Sequence, residues 1–147
     1  MRLFLDTNIL LEYLCGRPKA MVVRDLFDAI EGNADQAFIS TASFCTIAYY
    51  IDITLKQRGI HKPEKTAKTR EILNLVLGIA SIADVNHEAA VSATNDPAFS
   101  DIEDSMQYQC AVGNHCDVLI TFNVKDFNGA SSAAIRVMTP EEFLQTR

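Results

Sequence analysis

Residues 3–14 read LFLDTNILLEYL, and the switch inside this stretch decides the architecture. Leu3, Phe4 and Leu5 form a short apolar run that Asp6 stops; Ile9, Leu10, Tyr13 and Leu14 then recur at helical spacing. A buried strand that delivers an acid to its carboxyl end and passes at once into a helix is the pattern this predicts. Gly16 and Pro18 end that helix. Outward from it, the spacing predicts a helix over 18–30 closed by Gly32-Asn33, a strand over 37–40, and a helix over 41–56 closed by Gly59. Pro63 opens a further helix carrying Ile72, Leu73, Val76 and Leu77, so these last two helices form a hairpin. The same criteria predict a strand over 79–83, helices over 86–94 and 101–113, and strands over 118–121 and 135–138. Strands separated by helices give an α/β sandwich with a mainly parallel sheet, and such sheets collect ligands outside the carboxyl ends of their strands. Asp6 and the segment after Thr121 both fall at that edge.

The 147 residues suit a single domain over 1–147, and 48% hydrophobic with 22% charged residues is ordinary globular composition. Asp6, Asn8 and Glu12 interrupt the opening apolar run, which argues against a signal peptide. No stretch approaches the roughly 18 apolar residues of a membrane span. The expectation is therefore a cytoplasmic protein without membrane contact. Cys15, Cys45, Cys110 and Cys116 show no CxxC spacing and are expected as free, buried thiols, with neither a zinc site nor a redox pair at Cys110 and Cys116 favoured.

A net charge of −6 argues against a polyanionic partner, but its distribution is uneven. The run KQRGIHKPEKTAKTR holds Lys56, Arg58, Lys62, Lys65, Lys68 and Arg70, six of the thirteen basic residues, at the tip of the helical hairpin. Such a run is either a solvated surface or a phosphate-binding flank.

Acids lie at Asp6, at Asp101, Glu103 and Asp104 where a helix starts, and at Asp126 after the penultimate strand. One at a time they suit caps and turns. Together they form a set of hard oxygen donors that the fold can gather at one edge, as Mg²⁺ or Mn²⁺ requires. LFLDTNILLEYL, SDIEDSMQYQCA and DVLITFNVKDF, in that order, resemble the motifs of the PIN-domain family, toxin type VapC included, over nearly the whole chain. The resemblance implies a three-layer α/β/α sandwich of about five strands. It also implies a divalent-metal-dependent ribonuclease, the toxin of a toxin–antitoxin pair.

It assigns metal binding to Asp6, Asp104 and Asp126, with Glu103 as a further acid, Asn8 in support, and Thr121 and Asn123 as polar companions. RNA contacts fall to Lys56, Arg58, Lys62, Lys65, Lys68, Arg70 and Lys125, with Arg17 or Lys19 beside them. RNA, an antitoxin protein and a second copy of the chain are the implied partners. One element departs from the family pattern. The glutamate that family nucleases carry in the helix after the second strand is replaced by Thr46, or by Cys45 if the register shifts. That departure leaves a second expectation open, a catalytically impaired RNA-binding or protein-interaction module. Asn8, two residues after Asp6, stands where a haloacid-dehalogenase-like phosphatase needs its second acid.

Overall fold

The computed structural model describes residues 1–130 and 135–147. Five parallel strands, β1 Arg2–Leu5, β2 Gln36–Ser40, β3 Ser81–Ala83, β4 Val118–Ile120 and β5 Arg136–Met138, are ordered β3-β2-β1-β4-β5. The chain builds outward from β1 to β2 and β3, then crosses to the other side of β1 for β4 and β5. The direction of winding therefore reverses between β1 and β4, and the crevice at their carboxyl ends is where a doubly wound sheet binds ligands.

Helices α1 Thr7–Leu14, α2 Ala20–Gly32, α3 Thr41–Gln57, α4 Glu64–Ile79 and α7 Pro140–Leu144 contribute to one core, packed on Leu3, Leu5, Val118 and Ile120. Helix α6 Ile102–Gly113 contributes to a second core around Phe4 and Leu119, and α5 His87–Asn95 packs against α6. Alternation along β1 and β4 sends neighbouring side chains to opposite faces. Because both faces are covered, Leu3, Phe4, Leu5, Val118, Leu119 and Ile120 are all fully buried. At about 1.5–3 kcal/mol for each such aliphatic or aromatic side chain, these two strands anchor the domain. The three-layer sandwich matches the expectation from the sequence, with a sheet that is parallel throughout.

Several boundaries differ. Ile79 ends α4 instead of opening β3, because the apolar run around Gly78 continues the helix and the chain turns extended only from Ala80. Thr121 follows β4, and a short 3₁₀ helix over Val124–Phe127 carries Asp126. Among the cysteines, Cys110 and Cys116 are buried, and burial pushes their thiols up to about 12 and about 11. Cys45, by contrast, is exposed on the outer side of α3, which corrects the expectation of four buried thiols. Among the described residues no helix is long and apolar enough to cross a membrane.

Candidate metal centre

Asp6 sits at the junction of β1 and α1, where its extended backbone makes it the residue before the first helical turn. Its side chain does not cap that helix; the amides of Thr7 and Asn8 lie near enough to favour the carboxylate, without the geometry of a cap. Its own amide donates to the Ile120 carbonyl at 3.0 Å, which ties it to the end of β4. Thr121 Oγ1 then donates to Asp6 Oδ2 at 2.8 Å and accepts from the Asn123 amide at 3.0 Å. The buried Thr121 hydroxyl thus fixes one oxygen of Asp6 and leaves the other side of the carboxylate for the cavity.

That cavity has a volume of about 300 Å³ and is lined by Asp6, Thr7, Asn8, Leu11, Arg17, Thr46, Tyr50, Glu103 and Asp104. Its acids come from two ends of the sequence. Asp101 accepts from the amides of Glu103 (2.7 Å) and Asp104 (3.3 Å), so Asp101 spends itself as the helix cap. The cap orients the first turn of α6 and presents Glu103 and Asp104 to Asp6. Burial, first, and then the charges of Asp101, Asp6, Asp126 and Glu103 push the Asp104 carboxyl up to about 6. Asp6 is raised as well, mainly by burial, against the lowering pull of the Thr121 hydroxyl. Asp104 is raised in part by the charge of Asp6, and Asp6 in part by that of Glu103, which makes the site short of positive charge.

The structure therefore brings Asp6, Glu103 and Asp104 to one cavity. Asp126 is exposed and does not line it, although its charge reaches Asp104. Asn8 and Arg17 also line it, and Arg17 is the one cation among its lining residues. Asn123 and Lys125 are exposed in the segment after β4 and do not line it. Lys19 lies over the Phe122 ring at 4.3 Å. Glu12 accepts from the Lys19 amide at 3.1 Å and stands 4.0 Å from Arg17, outside the cavity lining. Thr46, half-buried, occupies the α3 position in the wall, whereas Cys45 does not. Of the two positions that the sequence left open, Thr46 is the one at the cavity.

Among the described residues no three His, Cys, Asp or Glu side chains are grouped closely enough to form a ready metal cage. The donors nonetheless fit a hard cation: they are carboxylate oxygens, crowded enough to raise one another, with room beside them for water. Mg²⁺ is commonly held by one or two carboxylates and keeps several waters. Asp6 and Asp104 are the residues that would hold it, with Glu103 beside them and Asp126 contributing charge from outside.

The basic flank is less uniform than its sequence. Lys56, Arg58, Lys62, Lys68 and Arg70 are exposed, but Lys65 is drawn to Asp52 at 2.9 Å and partly covered, and Lys68 lies 3.9 Å from Glu64. The α3 end at Gln57 lies eleven residues beyond Thr46, roughly 16 Å along the helix axis. Sequence reasoning missed Tyr50, which its spacing of four from Thr46 could have indicated. It also missed Ser43 and Gln107, for which no local signal exists.

The family model for the PIN domain matches residues 2–125, most of the chain. The chain belongs to the PIN-domain family. The match contains Asp6, Thr46, Asp104 and Thr121 and stops one residue before Asp126. The PIN fold here is similar to a chain in the crystal structure of VapBC2 from Rickettsia felis bound to a DNA fragment from their promoter. The TM-score is 0.69, and the likeness covers 95% of this chain and 98% of that one at 15% identity, a likeness of fold. No curated protein matches the sequence.

Proposed function

We propose that this PIN-domain chain is a divalent-metal-dependent endoribonuclease, acting as the toxin of a toxin–antitoxin pair. The observation that carries the reading is the shared cavity of Asp6, Glu103 and Asp104 at the β1/β4 crevice, with Asp104 raised to about 6 by burial and neighbouring acids. A bound Mg²⁺ or Mn²⁺ would supply a polarised phosphate and an activated water. The chain's own residues do the rest. Asp6, fixed by Thr121, and Asp104, fixed by the Asp101 cap, hold the negative charge that recruits the cation. Asn8 and Arg17 line the path along which a phosphodiester would enter, and Arg17 offers it a fork of donors. Lys125 and the exposed members of the 56–70 run would neutralise flanking phosphates, contacts that position RNA without reading its bases. Single-stranded or looped RNA is the substrate class. The PIN family and the fold shared with a VapBC2 chain support an antitoxin protein as partner, and a second copy of the chain is proposed as dimer mate.

A specific observation favours a second reading, a PIN module that binds RNA or protein with little turnover. Thr46 is in the cavity wall where family nucleases carry an acid, so the site has one anionic ligand fewer. Mn²⁺ decides between them. The nuclease is expected to gain thermal stability with Mn²⁺ and to cleave unstructured RNA, both absent with EDTA. No shift in melting temperature and no cleavage of a broad RNA panel would reject it in favour of the module.

A further inference from the structure

The acid cavity rests on a buried polar network that the metal site does not use. Gln107 lies on α6 one turn beyond Asp104 and is 2% exposed. Its Nε2 donates to Thr7 Oγ1 at 3.0 Å and to Ser43 Oγ at 2.8 Å, and these two hydroxyl oxygens are 2.7 Å apart. Ser40 Oγ donates to Ser43 Oγ at 3.0 Å while accepting from the Ser43 amide at 2.9 Å. Gln107 Oε1 is buried with no protein partner, an arrangement rare enough in a core to call for an explanation.

Counting protons orients the network. The triangle of Gln107, Thr7 and Ser43 has three contacts and needs three hydrogens. With Nε2 facing the hydroxyls, the amide supplies two and one hydroxyl supplies the third. With the amide turned over, only the two hydroxyl protons remain, and one short contact would set lone pair against lone pair. The orphaned Oε1 is therefore the consequence of the orientation the triangle demands. Ser43 Oγ, accepting from Gln107 and Ser40, has both lone pairs occupied, so its proton goes to Thr7. Thr7 Oγ1 then accepts from Gln107 and Ser43 and is likewise full. The Thr7 proton is left over. Among the described residues it has no protein acceptor, and Thr7 lines the cavity that holds Asp6 and Asp104.

We infer that the Thr7 hydroxyl is an obligatory hydrogen-bond donor aimed into the acid cavity, where it takes an anionic oxygen of a bound phosphodiester. Gln107 is the positioning residue that keeps it in that state. The inference deepens the nuclease reading and rests on it for the ligand. Its logic is that of a site whose donors are set before the anion arrives. Without Gln107, Thr7 regains the choice of donating to Ser43, and the cavity loses a fixed donor.

The test has a metal-free arm and a ligand arm. In the ¹⁵N-resolved NMR spectrum of the wild-type protein with EDTA, both Gln107 Nε2 protons should be shifted downfield and slow to exchange. Shifts and exchange typical of a free side-chain amide would overturn the proton order. In the second arm, a fluorescent single-stranded 2′-O-methyl oligoribonucleotide is titrated with Mn²⁺ present. Thr7→Ser should bind within about twofold of wild type, Thr7→Val about tenfold more weakly and Gln107→Met about threefold more weakly, as loss of one hydrogen bond to a charged group implies. Thr7→Val binding as tightly as wild type would overturn this inference alone, whatever the cleavage assay shows. A wild-type protein that does not bind the oligonucleotide overturns the ligand assignment and the nuclease reading together. Oligonucleotide binding with the expected losses but no cleavage supports the inference and rejects turnover.

Discussion

The two edges of the sheet treat carboxylates in opposite ways. At the amino edge, Asp35, just before β2, is almost wholly covered, and it accepts from the N-terminal ammonium at 2.6 Å and pairs with Arg147 at 2.5 Å. Asp117, just before β4, accepts from the Arg2 amide at 2.7 Å. Acids there close the fold. At the carboxyl edge, Asp6, Glu103 and Asp104 share a cavity in which the only lining cation, Arg17, is already turned toward Glu12, and Asp104 is raised to about 6. A fold that balances its acids where they are structural and leaves them unbalanced where the winding reverses has concentrated its electrostatic cost at one place. Perturbed carboxylates in a cleft mark functional sites for this reason.

The largest expected effect is on turnover. Asp104→Asn should lower Mn²⁺-dependent RNA cleavage by at least about 100-fold while preserving the fold, since it removes an anion that recruits the cation and stabilises developing charge. Asp35→Asn, the same chemical change at the other edge, should leave the rate per folded molecule unchanged. Equal losses from both variants would erase the distinction between the edges.

Stability should separate them with opposite signs. In the folded chain the Asp104 carboxyl titrates near 6, above its ordinary 3.8, so the folded state holds that proton more tightly. Its contribution is favourable below about pH 4 and is lost as pH rises through 6. With EDTA at pH 7, Asp104→Asn should therefore raise the melting temperature by about 2–4 °C, allowing for solvent screening, and change little at pH 4. Asp35→Asn should instead lower the melting temperature at pH 7 by about 4–8 °C, because two cations lose their shared partner. Melting curves at both pH values check both signs, and a destabilised Asp104→Asn at pH 7 would contradict the unbalanced site.

Much of this contrast was legible in the sequence. A strand ending in Asp6, an acidic helix start and a second strand ending near Thr121 are local patterns, and a parallel sheet sends all such ends to one edge. What the sequence could not show depends on distant pairings. Ser43 and Gln107 meet Thr7 across 36 and 100 positions, and isolated hydroxyls and amides carry no periodic signal. Lys65 belongs to a basic run in the sequence, yet Asp52, on the neighbouring helix, takes it out of the exposed set. The end of α4 was misplaced because a short apolar run around Gly78 suits a helix end and a strand equally.

Thr46→Glu sharpens the comparison by adding charge to the edge already in excess. With EDTA the variant should melt lower than wild type, because a further carboxylate enters the cavity. With Mn²⁺ the order should reverse, and the Mn²⁺ needed for half-maximal cleavage should fall by about tenfold or less, as an added anionic ligand predicts. A variant indifferent to Mn²⁺ would show that Thr46 faces the cavity without bearing on the cation.

The smallest effect belongs to the hairpin tip, where charge acts at a distance from the cavity. Lys62 and Lys68 are exposed; Lys65 is partly covered and paired with Asp52. If the tip neutralises phosphates flanking the cleavage site, Lys62→Glu with Lys68→Glu should weaken single-stranded RNA binding and flatten the plot of log affinity against log salt by about 1.4, at about 0.7 per lost phosphate contact on a single strand. Cleavage of a very short oligonucleotide, one that fills the cavity without reaching Lys62 or Lys68, should be unaffected. Lys65→Glu acts differently, since it breaks an ion pair and sets two acids together, so its melting temperature should fall before its salt slope changes. An unaltered slope in the Lys62/Lys68 double variant would return the tip to plain solvated surface and leave Arg17 as the cation at the substrate path.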